Sequence, residues 1–165
     1  MTQSLNVVGT PKDISSGVTS PESIANGLEA VLADTYRLTF KSHAFHWNVE
    51  GPLFYSIHNL TEEHYEDMFA AADELAERMR ALGQMAPMSM ADIVSKSVIE
   101  DDATAPSAGE MCEILAADHA RIAHRLHALV KMAGDGNDPV TEDLATERSA
   151  FHEKAAWMLR ALAAQ

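Results

Sequence analysis

The sequence predicts an all-α fold: a bundle of four long helices with one short extra helix in the connection between the second and third. Three observations carry this. Apolar residues recur at a 3-4-3-4 spacing over four long segments. Start and stop signals bound those segments, and no stretch alternates as a half-buried strand does. At 165 residues, 47% of them hydrophobic, the chain makes one domain able to bury a core without disulfides. Its one cysteine, Cys112, has no intrachain partner and reads as a small buried apolar residue.

Residues 1–19 are rich in Ser, Thr, Gly and Pro and aperiodic, which predicts a flexible or loosely docked arm ahead of a single domain over 20–165. Ser20-Pro21-Glu22 reads as a helix start with a hydroxyl cap, proline at the first position and an acid in the first turn. Ile24, Leu28, Val31, Thr35, Leu38, Ser42, Phe45 and Val49 then mark one face, and Gly51-Pro52 stops the helix. The second helix spans about 53–82 with Ile57, Leu60, His64, Met68, Ala71, Leu75, Met79 and Leu82 inward, and Gly83 ends it. Residues 84–106 are long for a helix–helix connection. Ser89, with Asp92 three residues on, predicts a short helix there, and the length predicts a crossover. Ser107-x-x-Glu110 is a capping box opening the third long helix, which runs to Gly134. Met111, Leu115, Ile122, Leu126 and Leu129 face inward along it. Asp138-Pro139 opens the fourth, with Leu144, Phe151, Ala155 and Met158 expected inside.

Twelve Lys+Arg against 25 Asp+Glu give a formal net charge of −13, which repels nucleic acid and lipid headgroups in the absence of a basic patch. The first twenty residues carry Lys12 alone, and Asp13 cancels it. No apolar run reaches the roughly 18 residues of a membrane span, and the N-terminus lacks the charge and hydrophobicity of a secretion signal. A cytoplasmic protein is the expectation.

The chemistry-bearing residues sit around the Gly-Pro break. With His58 at zero on the second helical wheel, Glu62 falls at about 40°, Asp73 at about 60° and Glu77 at about 100°. All four share one stripe beside the apolar seam, and His46 lies just across the turn. Imidazole with carboxylate and no thiolate suits Fe(II), Mn(II) or Zn(II). His58 and Glu77 are about 28 Å apart along the helix, whereas the two ions of a dinuclear site lie about 3.5–4 Å apart. One helix cannot bring both ends of the stripe to one site. A two-fold axis crossing antiparallel second helices near 67–68 can, giving two equivalent sites. Each takes His46, His58 and Glu62 from one chain and Asp73 and Glu77 from the other. A self-contained di-iron bundle needs Glu-x-x-His motifs, and the sequence has none.

His46-Trp47-Asn48, Gly51, Phe54, His58 and Asp73-x-x-x-Glu77-Arg78 together resemble the Dps family of miniferritins, across all four long helices. The resemblance implies a ferritin-like bundle assembled from two-fold dimers into a hollow dodecamer of tetrahedral symmetry. It implies ferroxidase sites at the two-fold interfaces, with two irons in each. The chemistry implied is oxidation of Fe(II), preferably by hydrogen peroxide, with ferric mineral stored inside and the cell protected from oxidative damage. His46, His58, Asp73 and Glu77 match ligand positions, and Glu62 stands where the family often has Asp. Trp47 matches a tryptophan that absorbs stray oxidising equivalents. Asp143 aligns with an acid of the three-fold pores that admit iron, with Asp138 and Glu147 beside it; Glu142 reads as ordinary acid enrichment at a helix start.

Two other functions are open. A DNA-compacting protein normally carries a mobile basic arm, which this chain lacks. A structural helical oligomer with vestigial sites would leave the His and acid set without chemistry. His43, three residues before His46, is a candidate for a supporting place near the site. His64, His119, His124, His127 and His152 are expected to be structural, and the nine methionines to be packing residues.

Overall fold

Five helices follow one another in the computed structural model, which describes residues 15–101 and 105–164: α1 (Pro21–Asn48), α2 (Phe54–Ala81), α3 (Met90–Lys96), α4 (Ala108–Asp135) and α5 (Pro139–Ala163). No strand occurs among the described residues. α1 pairs chiefly with α2 and α4 with α5, while α3 lies against α1. The register of two buried ion pairs gives the direction of the halves. Asp34 meets Arg125 and Lys41 meets Asp118, so α1 and α4 run antiparallel. The chain must therefore cross the bundle between α2 and α4, as the long connection predicts. Among the described residues no helix is long and apolar enough to cross a membrane.

Every inward residue expected on α1, α2 and α4 is buried. Ile24, Leu28, Leu38, Ile57, Met68, Leu82, Leu115, Ile122 and Leu126 are fully so, each fully buried Leu, Ile or Met contributing about 1.5–3 kcal/mol. The capping box at Ser107 and Glu110 is formed, and the Ser89 hydroxyl accepts from the Asp92 amide. Buried Asp34 anchors the crossover: it accepts from the Ser97 hydroxyl, the Val98 amide and Arg125.

Three expectations are corrected. Ser20 does not cap α1 through its side chain: its backbone is left-handed (φ 57°) and its hydroxyl makes no cap bond. Instead its carbonyl accepts from the Ser23 and Ile24 amides. Thr19 beside it is docked, its N–H donating to the Gly136 carbonyl at 2.8 Å. Gly136 is needed for that approach, because a Cβ there would lie 2.9 Å from the Thr19 oxygen and 2.7 Å from Ile24. Residues 1–14 of the expected arm lie outside the described residues. α4 runs one residue past Gly134, to Asp135. On α5 the buried face is Thr141, Ala145, Arg148, Ser149, His152, Ala155, Ala156 and Leu159, whereas Leu144, Phe151 and Met158 are only half-buried. The large apolar residues mark the edge of this helix's contact, and its centre is small and polar.

That polar centre is a layer of histidines. His119 and His152 face each other with their Nδ1 atoms 2.8 Å apart, and the His64 ring packs edge-on against His119 at 5.1 Å. Burial holds His152 down to about 3, with the Arg148 charge adding to it, and holds His119 well below the usual imidazole range. Above pH 6.5 both folded and unfolded chains carry these rings neutral, so they add no pH dependence. Below it the unfolded chain takes up protons that the native core refuses. Stability therefore falls with acidification by about 1.4 kcal/mol per pH unit per histidine. For His152 the loss continues down to about pH 3. Denaturant unfolding between pH 7 and pH 4 should show this decline, and His152→Gln should make the slope shallower by about one histidine's share.

Candidate metal centre

α1 delivers His46 at its last turn, the chain reverses through Gly51, and α2 delivers His58 at its first turn. Gly51 has φ 91°, a left-handed conformation that a side chain would strain. Across the turn the two histidines bind each other's backbone. His46 Nδ1 donates to the His58 carbonyl at 2.8 Å, and His58 Nδ1 donates to the His46 carbonyl at 3.0 Å. A carbonyl only accepts, so each neutral ring carries its proton on Nδ1 and keeps the Nε2 lone pair open. The rings stack with centroids 3.7 Å apart and 17° between planes, so the two imidazoles stand side by side. Backbone carbonyls orient metal-binding imidazoles in this way at many metal sites.

Glu62, one turn after His58, is half-buried. Partial burial, then the charges of Glu62 and Glu66, push the Tyr65 phenol above its ordinary range. The Tyr65 ring stacks on His43 at 4.2 Å and meets the His46 ring edge-on at 5.3 Å. Trp47 is 58% exposed, and its ring lies on His43 at 4.0 Å, not on His46 or His58. Sequence reasoning missed Tyr65. The signal was present: seven residues beyond His58, it falls within about 20° of that histidine on the wheel.

Asp73 and Glu77 project from the far end of α2, exposed, with no hydrogen-bond or ion-pair partner among the described residues. They do not meet the histidines of their own chain. Among the described residues no three His, Cys, Asp or Glu converge within one chain so as to hold a metal. Between the two ends of the stripe, exposed Phe69 (63%) packs edge-on with Tyr36 at 6.5 Å, and Phe40 (65%) lies one turn along α1 from Tyr36.

On α5, Asp143 and Glu147 are exposed and one turn apart. Asp138 is not available to line a pore. It is fully buried, caps α5 by accepting from the Thr141 amide, and pairs with Arg78 at 2.6 Å. Burial raises its carboxyl, but the bonds from Arg78 and Thr141 outweigh that and hold it below the ordinary value. An acid at the start of a helix served the fold.

Residues 25–165 match the Ferritin-like domain family. The chain is 38% identical over 141 residues to a low temperature-induced protein of Nostoc sp., covering 84% of this chain and 79% of that one. It is 34% identical over 134 residues to DNA protection during starvation protein 2 of Bacillus anthracis, covering 81% and 92%. Among solved structures it resembles Dps from Staphylococcus aureus, with TM-score 0.85, 29% identity and coverage of 90% and 99%. Dps of Vibrio cholerae, described as one of the ferritin-like diiron-carboxylate proteins, matches at TM-score 0.82 and 25% identity over 98% of both chains. Replacing Gly51 by Ala should cost about 1–2 kcal/mol through the strained turn. It should also part the two imidazoles, to be read from the thermal midpoint and a crystal structure of the variant.

Proposed function

The chain belongs to the Dps family of ferritin-like proteins, and from that premise we propose that it is a ferroxidase and iron store acting at sites shared between two copies. The observation that carries this is the division of labour along α2. An oriented His46–His58 pair with open Nε2 atoms stands at one end, and two unpartnered carboxylates stand at the other. The exposed Phe69, Tyr36 and Phe40 group sits at the middle, where antiparallel copies of α2 would cross. It offers the apolar contact that a two-fold interface needs.

In that arrangement His46, His58 and Glu62 of one chain face Asp73 and Glu77 of the second copy, twice per dimer. The substrate is Fe(II). Nitrogen and carboxylate donors suit it, and the carboxylates favour the higher charge of the product. Each of two Fe(II) gives one electron; one hydrogen peroxide takes both with two protons and leaves as two waters. Holding the two ions together lets peroxide be reduced in one step of two electrons. Dimers assemble into a hollow tetrahedral dodecamer that stores the ferric mineral, with Asp143 and Glu147 guiding Fe(II) through its pores.

The relatives' name, DNA protection, fits a protein that removes iron and peroxide. With net charge −13 multiplied over an assembly, direct contact with DNA is disfavoured. A gel shift at low salt without Mg²⁺ should show no retained DNA.

Sharing of the site has a sharp signature. His46→Ala and Asp73→Ala should each abolish most peroxide-driven Fe(II) oxidation. When the two variants are unfolded and reassembled as an equal mixture, about a quarter of the sites regain both halves, because half the dimers are mixed and each holds one intact site. A site confined to one chain would regain none. Stopped-flow oxidation at matched protein concentration reads the difference.

A further inference from the structure

We infer that Met85, Met88 and Met90 form a thioether site for a soft monovalent cation, Cu(I), at the entrance to α3. The site is separate from the iron site and goes beyond the function proposed above. Of the nine methionines, Met68, Met79 and Met111 are buried in the core as packing residues. Three others fall within six residues, Met85-Ala-Pro-Met88-Ser-Met90, in the connection that leads from α2 into α3. There the packing role expected from the sequence fails: Met88 is 74% and Met90 66% exposed, and Met85 is half-buried. An apolar side chain left in water contributes nothing through burial, but its polarizable sulfur is open to a ligand.

The backbone gathers these sulfurs. Ser89 is extended, with φ −139° and ψ 151°, and an extended residue sends the side chains before and after it to one side of the chain. Met88 and Met90 therefore share a side, their Cα atoms about 7 Å apart, and their rotatable bonds let the two sulfurs close that gap. The bend is held in place: the Ser89 hydroxyl donates to the Asp92 carboxylate at 2.6 Å and accepts from the Asp92 amide at 3.1 Å. Both flanks are anchored, since Ala86 packs against the core and Ile93 is buried. Met85 supplies the third sulfur. Arg80 Nη1 donates to its Sδ, so that sulfur faces out of the core. When an ion takes the sulfur, Arg80 keeps its bond to the Gln84 carbonyl. A segment fixed in this way loses little freedom on binding.

Donor chemistry selects the ion. Residues 84–90 contain no His, Cys, Asp or Glu. A thioether is a soft, neutral donor that suits Cu(I), whereas Fe(II), Mn(II) and Zn(II) prefer imidazole and carboxylate. It takes up no proton, so acid does not compete with the ion as it does at a histidine. The exposed Asp92 carboxylate, held by Ser89, adds negative charge beside the site. Thioethers favour Cu(I) over Cu(II), so the bound ion is held back from giving an electron to peroxide, a step that would yield Cu(II), hydroxide and hydroxyl radical.

The test uses the full-length assembly carrying Cys112→Ala, so that the one thiol takes no ion. Cu(I) is titrated without oxygen against a chromophoric Cu(I) chelator at pH 7 and pH 5.5, and the loaded protein is read by X-ray absorption. The expected result is one Cu(I) per chain in a shell of sulfur, with the affinity changing less than about twofold between the two pH values. Met85→Leu, Met88→Leu and Met90→Leu should each weaken binding about tenfold, and the triple variant should lose it. Leucine keeps the volume and apolar character, so assembly and peroxide-driven Fe(II) oxidation should be unchanged in the triple variant. Undiminished binding in the triple variant, or nitrogen in the shell of the ion, would overturn the inference by placing Cu(I) at the histidines. So would the absence of Cu(I) uptake in the unaltered protein. Cu(I) taken up by separated chains and refused by the intact assembly would also overturn it, making the exposed methionines part of a contact between copies. Each of these outcomes leaves the ferroxidase reading standing, because Fe(II) oxidation tests that reading by itself.

Discussion

A straight α-helix keeps its ends apart, and the functional architecture depends on that stiffness. α2 is 28 residues long, and its histidine and its last acid are separated by about 28 Å of helix. No rotamer closes such a gap. Within one chain the two donor groups stay separate, and Asp73 and Glu77 stand in solvent without partners. In the arrangement proposed above, a second copy turned end for end would offer each set its complement. The proposed division of the site between chains takes its reason from helix length before any chemistry is considered.

The same economy appears at the turn. The last carbonyls of an α-helix have no partner within the helix, and His46 contributes one of them at the end of α1. His58 Nδ1 satisfies it, while the His58 carbonyl accepts from His46 Nδ1 and also from the Thr61 hydroxyl at 3.1 Å. Those bonds close the α1–α2 hairpin, fix the proton on Nδ1 of both rings and hold the imidazoles side by side. Fold and reactive tautomer are set by one pair of hydrogen bonds. The core histidines use their nitrogens differently. His119 and His152 bond to each other in a buried layer, which gives specificity to the packing of α4 on α5 at the expense of acid stability.

The inner faces of α1, α2 and α4 are legible in the sequence because large apolar residues occupy them at helical spacing. α5 is not, because Thr141, Arg148, Ser149 and His152 are buried while Trp157 is 63% exposed. Counting large apolar residues there finds the rim of the contact. Ser20 and Asp138 mislead for a related reason: residue type marks a helix start, but neighbours decide what the side chain does. Thr19 docking on Gly136 accompanies the left-handed turn at Ser20, and Arg78, 60 residues away in sequence, claims Asp138. His46 and His58 are legible because a turn brings sequence neighbours together. The stacking of Tyr65 on His43 joins two helices, so it appears only once α1 and α2 are packed.

An acidic surface has two physical readings, solubility or attraction of cations, and the neighbours of the acids choose between them. A face kept for solubility surrounds its charges with other polar groups. The face that bears Asp73 and Glu77 also bears Phe69, with Phe40 and Tyr36 alongside on α1, all exposed. Large apolar surface of this kind on a single chain marks an interface. Once a second copy covers the aromatics, the flanking carboxylates lose water, and like charges brought together in that setting repel unless a cation or an imidazole stands between them. The proposed two-fold arrangement would supply both, carrying His46 and His58 of one copy to the acids of the other with their open nitrogens left for Fe(II). On that proposal the apolar patch would drive association, and the desolvated acids would make the associated state ask for metal.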